Sequence, residues 1–378
     1  MKIQKSRLAT IMILIVITVI LCIIAGKLET QEEKEEESSV YARAVVTEMI
    51  TDDTEPDEKT ENMLRGSQNV IVKILSGEYK DKEYLTTNYI SVLYHTNAQI
   101  GTHVIVRLDK TEDKVTAFIY CYDRIGWIIG IVAVFAAALT LIGKKKGFAA
   151  LISLLYSIFL IFRVMFPFVL HGANVLITAI GLLVMMTVMT FVLIEEINQK
   201  TISATLGTMA GVMIAGLFAA IAGLGLHISG FNTTEAEELL LLGTDHGMKL
   251  KNLFTAGILF AALGAVMDVA MSIASAIHEM KQIDQTLSFK QLFTSGMNIG
   301  RDAMGTMANT LILAFVGSSF TLLLLLYTYD LPLLQVINTD LIGRELIQGV
   351  AGSIGIIMTV PLVAAISSCI ESSTPISK

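Results

Sequence analysis

The chain has 378 residues, 53% of them hydrophobic and 16% charged, whereas a soluble domain carries about 25% charged residues, which argues against a wholly soluble protein. Residues 27–125 hold 12 Lys/Arg and 20 Asp/Glu, a net charge of −8, and the other 279 residues hold only 15 and 14. The acidic balance, with no basic stripe and interleaved aromatics, argues against nucleic acid as a partner. A nucleotide-binding soluble enzyme is also unsupported, because neither G-x-G-x-x-G after a strand nor G-x-x-x-x-G-K-[ST] occurs. Cys22, Cys121 and Cys369 lie far apart and form no C-x-x-C pair, so neither a disulfide framework nor a zinc motif is expected.

In chain order, Lys2, Lys5 and Arg7 precede an apolar run from Leu8 to Ala25. That run is longer than the usual signal-peptide core and no clear A-x-A site follows it, so a retained membrane anchor with a cytoplasmic N-terminus is expected. Residues 27–39 read as an acidic, solvated spacer. Residues 40–125 then alternate with period two, predicting short strands at Val40–Val46, Asn69–Leu75, Glu83–Asn88, His103–Leu108 and Val115–Tyr122. Five such strands predict a small all-β domain, with an OB-like barrel as the first expectation.

Residues 126–378 follow as a seven-helix transmembrane domain, with apolar runs at about 126–143, 147–168, 174–194, 202–227, 253–277, 306–327 and 346–369. Each is long enough to cross a ~30 Å hydrocarbon layer. With the anchor they predict an all-α polytopic protein of about eight spans. An even number places both termini on one side. The segments then assigned to the cytoplasm carry eleven Lys/Arg, among them Lys144, Lys145, Lys146 and Lys200, against Arg163, Lys249, Lys251 and Arg344 outside. By the positive-inside rule both termini are cytoplasmic in a bacterial plasma membrane, and residues 27–125 are extracytoplasmic.

A charge within a span costs roughly 2.5–3.5 kcal/mol at the helix centre. Asp268 lies fifteen positions into the segment that begins at Leu253, and Ser272, Ser275 and Glu279 share its helical face. Before and into the next span come Asn298, Arg301 and Asp302, then Thr306, Asn309 and Thr310. Two consecutive helices thus carry polar rows, expected to form an ion or proton pathway with Asp268 as its carboxylate. The competing reading is structural: Asp268 hydrogen-bonds Asn309 or a Thr hydroxyl and holds the bundle together. Gly207 and Gly211 are expected at close helix contacts, and Gly264, four residues before Asp268, leaves room for a helix, a water or an ion.

His171, His227, Asp245 and His246 show no metal-ligand spacing, and no metal or cofactor is expected. Ile283, Leu287 and Leu292 suggest an interfacial helix over 282–293. No G-x-S-x-G, S-x-x-K or H-E-x-x-H occurs, so an enzyme is not expected. The expected partners are the lipid bilayer and either an envelope protein or a second copy of the chain; the substrate stays open.

The runs GAVMDVAMSIASAIHEM (264–280) and SGMNIGRDAMGTMANTLILAFVGSSF (295–320) resemble the YibE/YibF-like family of bacterial multi-spanning membrane proteins. That resemblance implies a location and a layout, with no reaction attached. The helix pair itself, Asp268 with His278-Glu279 followed by Arg301 and Thr306, resembles more weakly the fourth-to-fifth helix region of SecD/SecF-type proton-driven exporters. The chain lacks that family's large domain between the first two helices of the bundle and its Arg-Ile-Arg-Glu type motif.

Overall fold

The computed structural model describes residues 2–29, 39–61, 63–111, 114–195, 197–228, 238–239, 252–329 and 331–373. Most of the acidic spacer (30–38), Glu196, Asp245, His246, Lys249, Lys251 and Lys378 lie outside the described residues. The chain divides into two compact units, residues 32–138 and residues 1–31 with 139–378.

The first unit is built on five antiparallel strands: β1 (Ser39–Asp57), β2 (Met63–Ile74), β3 (Glu83–Ile90), β4 (His103–Thr111) and β5 (Lys114–Tyr122), in the order β3-β2-β1-β4-β5. Edge strands β3 and β5 lie beside each other without ladder bonds, so the sheet nearly closes into a barrel. Alternate residues fill its interior: Ala42, Ala44 and Val46 from β1, Val70, Val72 and Ile74 from β2, and Val104, Val106 and Leu108 from β4, as period two requires. β1 pairs with β4 over Ser39–Val45 and with β2 from Ala44 to Asp57, bulging after Val46 and Met49.

The second half of β1 and the start of β2 form a ribbon beyond the strands expected from sequence. The run Asp52-Asp53-Thr54-Glu55 has no apolar alternation to reveal it; backbone pairing carries that ribbon, with polar cross-strand contacts from Asn69 to Thr51 at 2.8 Å and from Arg65 to Asp57 at 2.7 Å. Gln68 is fully buried and its amide is satisfied on both sides. Its Oε1 accepts from the Ala98 N–H at 2.9 Å and from Asn88 Nδ2 at 3.1 Å, while Nε2 donates to Asn97 Oδ1 at 3.0 Å. The 91–102 connection is thereby tied to the barrel.

The second unit is helical. α1 (Lys2–Glu29) carries the N-terminal apolar run. Thr18 shares a 2.8 Å hydroxyl bond with Tyr156, and Arg7 donates to the Leu193 carbonyl at 2.7 Å, so the anchor is tied to the bundle. α2 (Ile125–Leu160), which begins in the first unit, is broken at Lys144, where φ is 48°. The chain doubles back there: a side chain at Gly147 would meet the Leu139 carbonyl. A π-helical turn (Ile161–Met165) leads into α3 (Phe166–Leu170). Pro167 lacks the N–H that the Arg163 carbonyl would otherwise accept, a cause of such a wide turn.

Next come α4 (Val175–Ile194), capped by Asn174, and α5 (Gln199–Gly225), capped by Asn198. Between them Glu195 pairs with Lys146 and, at 2.8 Å, with Lys200. α6 (Leu253–Ile283), α7 (Phe289–Ser318), α8 (Phe320–Thr328), α9 (Leu333–Ile337) and α10 (Asp340–Ser373) complete the unit. Among the described residues six helices are long and apolar enough to cross a membrane, or seven if α7 and α8, bent by 61°, count as one. The expected interfacial helix over 282–293 is instead the end of α6, a turn, and the start of α7. Ser288 and Gln291 form a capping box at α7, which ends one helix and restarts the chain in a new direction.

The core of this unit is the contact of α5, α6, α7 and α10, filled by Val266, Ala270, Ile273, Ile277, Ile356, Val360 and Val363 among others. Glycine sets the closeness. Gly207 faces Val363 and Gly211 faces Thr359, so α5 and α10 run antiparallel. Gly296 faces Ile277, and Gly300 faces Ile273 and Val360, bringing α7 against α6 and α10.

Candidate functional site

Asp268 sits at the midpoint of α6, fifteen residues from Leu253 and fifteen from Ile283. The packed side of α6 is Val266, Ala270, Ile273 and Ile277, all fully buried. At about 100° per residue, Asp268 lies roughly 140–160° around the helix from Val266, Ala270 and Ile273. Its carboxylate is therefore on the outward face and exposed. Ser272 and Glu279 are exposed on the same row and Ser275 is half-buried. Gly264 begins the row, and nothing lies within 4 Å of where its side chain would stand. Unlike Gly207 and Gly211, it is not at a helix contact.

The α7 residues are also outward. Asn298, Arg301, Asp302, Thr306, Asn309 and Thr310 are all exposed. Arg301 reaches Asn298 Oδ1 at 3.5 Å, and the Thr306 and Thr310 hydroxyls donate to carbonyls of their own helix at 2.9 Å. Because α6 and α7 meet through Ile273, Ile277, Gly296 and Gly300, the two polar rows do not face each other. No hydrogen bond joins the rows, and Asp268 has no partner among the described residues. The bond from Asp268 to Asn309 or a Thr, the structural reading of the sequence, is not made within this chain.

The buried polar contact of the bundle lies elsewhere. His278 Nδ1 on α6 is 2.7 Å from Glu371 Oε1 on α10, with the two side chains 16% and 5% exposed. Ser367 and Ser368, one turn earlier on α10, are fully buried, and their hydroxyls have no partner among the described residues. Sequence reading missed Glu371 because the apolar run was taken to end at 369. The signal available was helical continuity past that point, without a Gly or Pro to stop it.

A nearly closed β-barrel unit and a helical unit of long apolar helices, with one carboxylate outward at mid-helix, define the class: a mostly helical protein with several helices long and apolar enough to cross a membrane and a small antiparallel β domain. The model of the family described as YibE/F-like protein matches residues 131–373, and the chain belongs to that family. Together the family and the helices fit an integral membrane protein. No curated protein and no solved structure matches. The weaker resemblance to SecD/SecF-type exporters gains no support from these comparisons.

Proposed function

We propose that this is a transport-related protein of the bacterial plasma membrane in which Asp268 binds the translocated or coupling ion. The supporting observation is the row Gly264, Asp268, Ser272, Ser275 and Glu279, open along one face of α6 from mid-helix to its C-terminal end. An ionised carboxylate facing lipid is costly. The polar pathway is therefore completed by an opposing polar surface, such as the outward face of α7 in a second copy, and not by the α6–α7 contact within one chain. In this reading α2 divides at Lys144 into two spans, which with α7–α8 as one span gives eight. Both termini are cytoplasmic, and residues 27–125 are extracytoplasmic, with an OB-like domain in the strand order β3-β2-β1-β4-β5.

A second reading rests on a different observation. Leu85 and Tyr89 on β3, with Leu93 and Tyr94 just after it, are 64–89% exposed, and an apolar surface of that kind suits partner docking. The protein would then be a non-transporting scaffold whose β domain binds an envelope protein.

Complementation of a deletion strain separates the two. Transport predicts that Asp268→Asn and Asp268→Ala accumulate normally but fail to restore an ion-sensitivity phenotype, while Leu85→Ser/Tyr89→Ser complements. The scaffold reading predicts the reverse pattern. Full complementation by both Asp268 variants sinks the transport reading.

A further inference from the structure

Between the end of β5 and the start of α2, wholly within the first unit, lies a cavity of about 720 Å³ lined by Arg43, His103, Tyr122, Asp123, Arg124 and Trp127 among others. Its charges do not cancel. Arg43 donates to Asp123 Oδ2 at 2.6 Å, and the other carboxylate oxygen, Oδ1, accepts the Ile125 N–H at 3.2 Å. The Asp123 side chain is 3% exposed. Burial pushes its carboxyl up, but the bonds from Arg43 and Ile125 and the charges of Arg43 and His103 outweigh this and hold it below the usual range. It is thus an ionised group already committed to its partners.

Arg124 has no carboxylate partner among the described residues. Its guanidinium lies 5.9 Å from the centre of the Tyr122 ring and makes no ion pair. Two guanidiniums against one carboxylate leave the cavity with one positive charge, His103 aside.

The cavity also lies on a boundary of polarity. Trp127 is 80% exposed, and Ile128, Ile129 and Ile131 beyond it are 56–67% exposed at the head of the apolar helix. An exposed tryptophan beside arginine, where a polar surface gives way to an apolar helix, marks the headgroup level of a bilayer. Arginine matches phosphate with two parallel N–H donors, and a basic residue near an anionic lipid surface is attracted to it by roughly 1 kcal/mol.

We infer that this cavity binds the phosphodiester of an anionic phospholipid, with Arg124 as its main cation, Trp127 at the glycerol level and the acyl chains along the exposed isoleucines of α2. An ethanolamine headgroup is disfavoured, because its ammonium would need a free acid and the lining carboxylate is buried and paired. The inference needs only insertion in a membrane; it stands or falls apart from the role of Asp268.

Trp127 is the only tryptophan of the chain and reports directly on the site. The full-length protein is placed in phosphatidylcholine nanodiscs containing a small fraction of either dibrominated phosphatidylglycerol or dibrominated phosphatidylethanolamine, and tryptophan quenching is measured. Quenching should show about fivefold local enrichment of phosphatidylglycerol, the size expected for one basic residue at an anionic membrane surface. Arg124→Gln should bring it to the phosphatidylethanolamine level, and Arg124→Lys should retain part of it. Arg65→Gln, an arginine paired with Asp57 at 2.7 Å, should leave it unchanged. Equal quenching by the two lipids with the wild-type protein overturns the inference, as does an Arg124→Gln variant that keeps the preference. If millimolar inorganic phosphate abolishes the enrichment, the site takes free phosphate and the lipid assignment is wrong.

Discussion

His278 and Glu371, ninety-three residues apart in sequence, join α6 to α10 through a 2.7 Å contact between Nδ1 and Oε1 at the C-terminal ends of both helices. The two helices run parallel there, since Ala262 approaches Gly352 and Val266 approaches Gly355 further up the same contact. Glu371 is nearly inaccessible to solvent, so the pair clamps the end of the packed core.

Removing one side of that clamp leaves the other polar group buried. A stranded buried hydrogen-bonding group costs about 1–3 kcal/mol, and a stranded charge more. Glu371→Ala should destabilise the fold by an amount in that range or above it, read as a lower thermal unfolding midpoint in detergent. Glu371→Gln keeps an oxygen that can accept from Nδ1–H and should lose less. Equal midpoints for Glu371→Ala and wild type would show that the contact carries no stability.

The glycines divide into two kinds. At Gly211 a methyl group would strike Thr359 Oγ1, and at Gly300 it would strike Val360. Overpacking of this type costs about 1–3 kcal/mol, so Gly211→Ala and Gly300→Ala should each destabilise the bundle. At Gly264 the same methyl meets nothing, and alanine is the better helix former by up to about 1 kcal/mol. Gly264→Ala should therefore be neutral or stabilising in the same thermal assay.

Glu195 gives a pH signature. Burial pushes its carboxyl up, but the hydrogen bonds and charges of Lys146 and Lys200 outweigh this, so its folded value lies below the ordinary 4.5. A carboxyl lowered on folding adds stability above its unfolded value, and that stability is lost as pH falls through the folded value. Glu195→Gln should thus have a lower midpoint than wild type at pH 7, and the gap should narrow as the pH falls below the ordinary 4.5. A gap that stays constant from pH 7 to pH 3.5 would exclude the two lysine contacts as its source.

Asp268 tests what covers the outward face of α6. If a second copy of the chain does so, Asp268→Leu should shift native-gel mobility towards the monomer while the unfolding midpoint of that monomer rises or stays level, because an exposed charge has been removed from the middle of a long apolar helix. A drop in the midpoint with unchanged assembly would instead mean that Asp268 supports the fold of a single chain.

Much of the organisation was legible without coordinates. Asp268, Ser272 and Glu279 share a face because a helix repeats every 3.6 residues, and strands of the β unit show where Val72-Lys73-Ile74 and Val106-Arg107-Leu108 alternate interior apolar residues with a polar neighbour. The ribbon at Asp52–Glu55 was hidden because its pairing is made by backbone groups, which side-chain patterns do not record. The α6–α7 turn was misread because Leu287 and Leu292, at near-helical spacing, pack against the core from two different elements.

The sequence by itself determined that long apolar helices follow a charged β unit, that one carboxylate stands at the middle of a helix, and which residues share its face. These follow from composition and from the fixed repeats of helix and strand. Only the tertiary structure decided which face of α6 turns inward. Ile273 and Ile277 interlock with Gly296 and Gly300 across the contact with α7, and that fit, rather than any attraction between polar rows, directs Asp268 outward. Helical periodicity specifies angles around one axis; the orientation of that axis is set by close packing against neighbours distant in the chain.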